Sequence, residues 1–447
     1  MTVSGAPADR GRGWAPSHPF ALALTTIAFV GLVLRVLYVE LASDRIRFGL
    51  DTIWYELVSG TIVSGDGFVD PAKFYGQGVA VPTAFRPPLY PGFLALVTEA
   101  IGASRHTFQL VGCVVGVATV VLVGLLGRRL AGSAVGLCAA AMATAYPIFI
   151  VADGSVMSEN LALPLATGLI LAVYWGIDHP TVLRWMLVGL LGGACILTRG
   201  DAIVFVGLVA VPAPLLVKRT SWARRAALIG ATVLAVMVVV MPWLVRNHAR
   251  LGTFEPATLD AATTLAGTNC ATTYSGDKLG LWDFACTQRR GQDRLDEVRL
   301  SDELRAKGLR YARDHAERLP IVVTVRVLRL WGLYNPVDQA RAEAVESRSF
   351  GAQMLSWLIY LPTAALALVW LVLLSRRGVQ ILPLLAVLAA VTLTAALAYG
   401  KQRLRIAAEP VLLVGAAVTL VHLADIVRVR ITSRRVDATS APAPSAC

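Results

Sequence analysis

The chain has 447 residues, of which 56% are hydrophobic and only 16% charged. Soluble globular chains lie nearer ~45–50% apolar and ~25% charged, so composition excludes a water-soluble enzyme, a disordered chain, a collagen and a disulfide-dense scaffold. The formal net charge of +12 is no nucleic-acid signal, because fifteen Lys and Arg fall in short segments expected on the cytoplasmic side, against four acids there, which is the positive-inside pattern.

Residues 1–18, rich in Gly, Pro, Ala and Arg, read as a cytoplasmic tail, and a single transmembrane domain occupies 19–427. The first apolar run, about 20–40, is too long for a signal-peptide core and lacks a small-residue cleavage site; it reads as an uncleaved anchor. A first outer loop follows over 41–107. Within it Leu50 to Val63 and Pro87 to Ile101 carry apolar residues at helical spacing, which predicts helices lying in the interface with Trp and Tyr at headgroup level. Apolar runs at about 108–127, 134–152, 160–177, 184–198, 201–217 and 226–245 come next.

A long outer loop spans 247–350 and holds 15 basic and 14 acidic residues; long loops translocate regardless of charge. Its stretch Ser301 to Arg318 reads as a charged helix and Leu319 to Leu333 as a further interfacial one. Runs at about 352–374, 379–398 and 408–427 complete ten crossings, and 428–447 is a second cytoplasmic tail. At roughly 20 residues per span, the expected fold is an all-α polytopic membrane protein with about ten transmembrane helices. With the N-terminus inside, ten crossings place Arg128-Arg129, Arg184, Lys218-Arg219, Arg224-Arg225, Arg376-Arg377 and the C-terminal basic tail together on the cytoplasmic side.

Cys113, Cys138 and Cys195 lie in spans, whereas Cys270 and Cys286 share the long outer loop. That is the oxidising side, so a disulfide closing the loop is expected. No His or second Cys pair stands nearby at ligand spacing, so no metal site is expected.

Ionisable residues at the membrane face carry weight because desolvation there is costly. Asp51 opens a helix just after the first span, and two readings are open to it: a helix cap satisfied by backbone amides or a general base toward a hydroxyl. Glu159, in Met157-Ser158-Glu159-Asn160, opens another helix and allows the same alternatives. The topology gathers Asp51, Glu159 and Asp201 at the outer face with Arg86, Arg199, Arg246, Lys401, Arg403 and Arg405. Acids and guanidiniums on one face suit an amphiphile with an anionic head; for any single Arg the alternative is snorkelling to headgroups.

A set of short motifs carries a resemblance. It comprises Asp51-Thr52-Ile53-Trp54-Tyr55-Glu56 with Ser64-Gly65-Asp66-Gly67-Phe68, then Phe85-Arg86-Pro87-Pro88-Leu89-Tyr90-Pro91 and Met157 to Asn160. Leu197-Thr198-Arg199, Pro242 to Asn247, Arg329 to Tyr334 and Arg403 to Pro410 follow. In order and spacing, over roughly 20–425, the chain resembles the polytopic GT-C-fold glycosyltransferases that use polyprenyl-phosphate sugars, a class including protein mannosyltransferases and the lipid A aminoarabinose transferase.

The resemblance implies roles. Asp51 would be the catalytic base that deprotonates the acceptor hydroxyl, and Glu159 would orient acceptor, sugar or base. Lys401, Arg403 and Arg405 would neutralise the leaving lipid phosphate, and Tyr55, Arg86, Tyr90, Arg199 and Arg246 would contact substrate. Arg86 stands where many relatives have His before Pro-Pro. Thr52, where many have a second acid, argues against a paired-acid or metal mechanism. No cofactor is required beyond the polyprenyl-phosphate sugar as donor, although an outer-face divalent ion is compatible. The implied partners are that membrane lipid donor and a glycolipid, polysaccharide or protein acceptor, with no nucleic acid. The implied location is the plasma (inner) membrane, with both termini cytoplasmic and the site outside. The sequence has no P-loop and no Rossmann glycine pattern, as suits a donor already activated on phosphate. A transporter or flippase would be expected to show repeats and polar residues near the midplane. An inactive scaffold of the same fold would be expected to lack Asp51 or the last-loop basic residues.

Overall fold

The computed structural model describes residues 17–42, 48–288, 296–344, 348–376 and 378–439. Most of the predicted N-terminal tail, the end of the C-terminal tail and Arg377 lie outside the described residues.

Nineteen α-helices follow in chain order. α1 (His18–Ala42) leads to α2 (Leu50–Val63), α3 (Pro71–Gln77) and α4 (Leu89–Ile101) of the first long loop. Next come α5 (Arg105–Ala131), α6 (Ser133–Ala145), α7 (Pro147–Gly154), α8 (Glu159–Asp178), α9 (Val182–Thr198), α10 (Ala202–Val209) and α11 (Trp222–Leu251). The long loop builds α12 (Asp260–Thr268), α13 (Ala271–Tyr274), α14 (Glu297–Asp314), α15 (Leu319–Leu330) and α16 (Pro336–Ala344), and α17 (Phe350–Arg376), α18 (Leu382–Leu397) and α19 (Glu409–Thr439) close the chain. Among the described residues the one β pairing is an isolated bridge between Val69 and Pro82.

All ten predicted apolar runs become helices, but six have the length and composition to cross a membrane, or seven if α6 and α7, bent by 54°, count as one. The count of ten spans is therefore not reached on length. α9 and α18 have 17 and 16 residues, short of the usual ~20. The run at 201–217 stops being α-helical after Val209, ahead of Pro212 and Pro214, since proline supplies no amide hydrogen and collides with the preceding turn. α14 begins four residues before the predicted start; Asp296 accepts from the Arg299 amide at 2.8 Å and sets that boundary. Its neighbour α15 buries Val322, Val325 and Leu330 and packs on α18, so one face meets protein rather than headgroups.

The break between α6 and α7 has an identifiable cause. Pro147 cannot donate to the Ala143 carbonyl, which is left without its helical partner. Arg35 of α1 replaces the missing proton: Nη2 lies 3.4 Å from Ala143 O, and Nη1 lies 3.3 Å from Thr144 O and 3.1 Å from Gly31 O. Its Nε donates to Asp153 Oδ2 at 2.7 Å, with both side chains fully buried. Gly116 of α5 makes the room, because a Cβ there would fall 2.0 Å from Asp153 Oδ2. Asn160 Nδ2 then bonds Asp153 Oδ1 at 3.3 Å and Gly112 O at 2.9 Å. Four elements thereby converge on the first turn of α8, which begins with Glu159.

In the long loop Cys270 and Cys286 are disulfide-bonded. The segment they close docks on α15, where Arg329 donates to Leu279 O at 2.7 Å, and Arg326 donates to Thr268 O just before it at 2.6 Å. Gly280 O accepts from the Gly400 amide at 2.8 Å, so the disulfide-closed segment supports the loop between α18 and α19.

Candidate active site

Asp51 sits in the first turn of α2 behind an extended Gly49. Its carboxylate meets two guanidiniums: Oδ1 lies 2.5 Å from Arg86 Nη2, and Oδ2 lies 3.5 Å from Arg403 Nη1. Arg86 is carried by the loop before α4, where Pro87 and Pro88 lead into that helix, and its Nη1 reaches Asp260 Oδ2 at 2.8 Å. Arg403, in the 3-10 turn Gln402–Arg405, also gives Nε to Glu159 Oε1 at 2.7 Å. Arg199, at the end of α9, reaches the same oxygen at 2.8 Å and pairs with Asp201 at 3.0 Å. Arg348 lies 3.8 Å from Glu159 Oε1 and 2.9 Å from Glu343 Oε2.

The result is one alternating chain: Glu343, Arg348, Glu159, Arg403, Asp51, Arg86 and Asp260, with Arg199 and Asp201 branching at Glu159. Its two ends differ. Asp51, Arg86 and Asp260 side chains keep 22%, 19% and 18% exposure, whereas Glu159 keeps none. Burial by itself would lower the Arg86 pKa, but Asp260 and Asp51 outweigh it and hold that guanidinium charged. Burial raises the Asp260 pKa above the usual carboxylate value, with Arg86 opposing it. A carboxylate at the open end, flanked by permanent cations, can meet both a hydroxyl and an anion.

Of the residues singled out from sequence, Asp51, Glu159, Arg86, Arg199 and Arg403 come together here. Tyr55 adjoins them, within the fields of Arg86, Asp51 and Glu159, and it stacks edge-to-face at 5.0 Å on Tyr90 in a buried cluster with Leu94, Val97 and Phe108, so the pair also packs α2 against α4. The others are placed elsewhere. Arg246 is a pin for the first outer loop, donating to Thr83 O at 2.7 Å and Phe68 O at 2.6 Å. Arg405 is buried against Glu409 at 2.6 Å and over the Tyr360 ring at 3.5 Å, which leaves it closed to a phosphate. Lys401 is buried near the Tyr399 ring at 5.9 Å. Asp260, Arg348 and Glu343 were missed: nothing local distinguishes them from the loop's other charges, and their partners lie on distant elements. Among the described residues no group of three or more His, Cys, Asp or Glu is arranged to hold a metal ion.

Beside Arg199 and Asp201 runs a small, partly open apolar groove, lined among others by Ala166, Phe205, Val391 and Leu404. It joins the ion-pair chain to the interhelical space of the membrane domain.

The dolichyl-phosphate-mannose-protein mannosyltransferase family matches residues 85–245. No curated protein matches the chain in sequence. In structure the chain is similar to the archaeal oligosaccharyltransferase AglB from Archaeoglobus fulgidus, solved with an inhibitory peptide and a dolichol-phosphate. The TM-score is 0.56 at 15% identity, over 96% of this chain and 53% of that one. The Archaeoglobus fulgidus oligosaccharyltransferase complexed with Zn and sulfate gives a TM-score of 0.55 at 14% identity, over 94% and 52%. ArnT from Cupriavidus metallidurans bound to undecaprenyl phosphate gives 0.42 at 15% identity, over 90% and 77%. This chain spans about half the length of the oligosaccharyltransferases. The likeness to them establishes the fold, an all-helical, multi-pass membrane protein of the GT-C type.

Proposed function

We propose that this GT-C-fold chain, matched by the mannosyltransferase family over residues 85–245, moves a sugar from a polyprenyl phosphate to a hydroxyl of the cell envelope at the outer membrane face. The observation that carries the reading is Asp51, the partly open carboxylate of an arginine-rich chain that abuts an apolar groove. The lipid tail lies against the apolar helices α8, α10 and α18 that line the groove. Its phosphate takes guanidinium donors from Arg199, Arg403 and Arg86, which exchange one anionic partner for another at little electrostatic cost. Asp51, relieved of its arginines, accepts the acceptor hydroxyl proton while that oxygen bonds to the anomeric carbon. The carbon–oxygen bond to phosphate breaks, its electrons stay on the phosphate, and the anomeric centre inverts.

Glu159 takes a different part. Two guanidiniums within 2.8 Å and a third at 3.8 Å share its Oε1, so it gathers the arginines and is no proton acceptor. Nothing in this sequence of events needs a metal. The basic turns favour the orientation with both termini cytoplasmic and the site outside the plasma membrane.

The test uses purified protein in lipid, a panel of radiolabelled polyprenyl-phosphate sugars and an envelope acceptor extract. Transfer from one donor is expected, and Asp51→Asn should lower its rate by about 10²- to 10⁴-fold. Equal transfer by the variant would remove Asp51 as base.

A further inference from the structure

At the closed end of the ion-pair chain, several buried polar atoms have no hydrogen-bond partner. Glu159 uses Oε1 for its guanidiniums and leaves Oε2 unpartnered. Glu343 receives Arg348 on Oε2 and leaves Oε1 unpartnered, and Arg348 leaves its own Nε the same way. The Tyr38 hydroxyl of α1 lies within the field of Arg348 and is also buried without a partner. Tyr38 is set there by Gly154, whose backbone approaches so closely that a Cβ would fall 2.9 Å from the tyrosine ring. Glu159, Glu343 and Arg348 are at least 97% buried. Folded proteins rarely leave such atoms unpaired, and clustered exceptions mark a place where a further group belongs.

The chemistry of that group can be read from the atoms. Two carboxylate oxygens can only accept, a guanidinium N–H can only donate, and a phenol does both. The charges are already settled, because Arg348 lies between the two glutamates and Arg199 and Arg403 face Glu159. The guest is therefore neutral and carries groups that donate and accept at once, which are hydroxyls. Position agrees. Arg199 belongs both to the groove lining and to Glu159, and Arg348 lies 3.8 Å from that same carboxylate. A phosphate held by Arg199 and Arg403 therefore adjoins the guanidinium and carboxylates of the cluster.

We propose that Tyr38, Glu159, Glu343 and Arg348 form a hydroxyl-reading subsite for the ring of the transferred sugar. This inference rests on the glycosyl-transfer reading for the identity of its ligand, but it is tested by binding as well as by turnover. Sites built to pair a hydroxyl reject analogues that lack it far more strongly than apolar pockets reject a methylene.

The experiment compares wild type with Tyr38→Phe, Glu343→Gln and Arg348→Lys, Tyr38→Phe being the least disruptive because it removes one oxygen. Two quantities are read: affinity for the glycosylated lipid against sugar-free polyprenyl phosphate, and kcat/KM for the preferred donor against donors deoxygenated at single ring positions. Wild type should bind the glycosylated lipid more tightly. Each variant should lose that margin by roughly tenfold or more, leave sugar-free affinity unchanged and shrink the penalty at one ring position. Equal loss of sugar-free affinity would make the cluster a phosphate site. Unchanged margins and ratios in all three variants would make it a buried polar packing element, and either result overturns the subsite. If wild type distinguishes the lipids but transfers from none, the transferase reading fails while the subsite stands.

Discussion

Glu159 and Asp51 are both acids in the first turn of a helix, yet their surroundings give them opposite sensitivities. Removing Glu159 takes a fully buried carboxylate from among three guanidiniums and leaves each with a single acid, Asp201, Asp51 or Glu343, and loss of one partner from such a network costs on the order of 3–5 kcal/mol. Asp51 is partly open, and its arginines keep Asp260 and Glu159. Glu159→Ala should therefore lower the thermal midpoint in detergent by several degrees, whereas Asp51→Asn should leave it nearly unchanged while slowing turnover by about 10²- to 10⁴-fold. A second residue carries a pH signature. Burial pushes the Glu297 carboxyl up to about 7, with the Thr83 side chain and Ala84 amide, which hydrogen-bond to it, and Arg246 opposing, and with Asp70 reinforcing the rise. A raised carboxyl pKa stabilises the fold fully below the unfolded value of 4.5. That contribution is lost as pH climbs through 4.5 toward 7, and is on the order of 2–3 kcal/mol. Glu297→Gln, which can still accept from Ala84, should flatten thermal stability across that window and exceed wild type at pH 8.

At the scale of elements, Arg35 shows how an anchor helix becomes part of the site's frame. It satisfies the carbonyl that Pro147 leaves exposed and ties α1, through Asp153 and Asn160, to the turn that carries Glu159. Arg35→Met should destabilise by about 3–5 kcal/mol, since it leaves Asp153 buried and unpaired. Pro147→Ala in that background should recover part of the loss, because an amide at 147 can again donate to Ala143 O. A double-mutant cycle on thermal midpoints reads this coupling directly. Strictly additive effects would remove Pro147 from the account. Neither Arg35 nor Asp153 was legible as a site-supporting residue in the sequence, because 118 residues separate them and each looks like an ordinary charge near a span end.

At the scale of the whole molecule, the long loop 247–350 is the support of the loop between α18 and α19. Cys270 and Cys286 close the segment whose Gly280 carbonyl receives the Gly400 amide, three residues before Arg403. Closing a loop of this length stabilises by about 3 kcal/mol in the chain-entropy account. A membrane-impermeant reductant should lower transfer in right-side-out vesicles and leave inverted vesicles unaffected. The opposite sidedness would reverse the proposed orientation. Composition and local order alone determined that this is a multi-pass helical membrane protein, where most of its helices lie, and that Asp51, Glu159, Arg86, Arg199 and Arg403 belong to one face. Those follow from hydropathy, from proline and charge punctuation, and from short motifs, all of which are local along the chain. Only the tertiary structure decided that Asp51 is shared by Arg86 and Arg403, that Asp260, Glu343 and Arg348 extend the chain of ion pairs, and that Tyr90, Arg246 and Arg405 are braces. It also decided that α9, α10 and α18 stop short of a full span. An ion pair leaves no periodic trace in sequence: it depends on distance in space, and packing sets that distance between residues up to 352 positions apart.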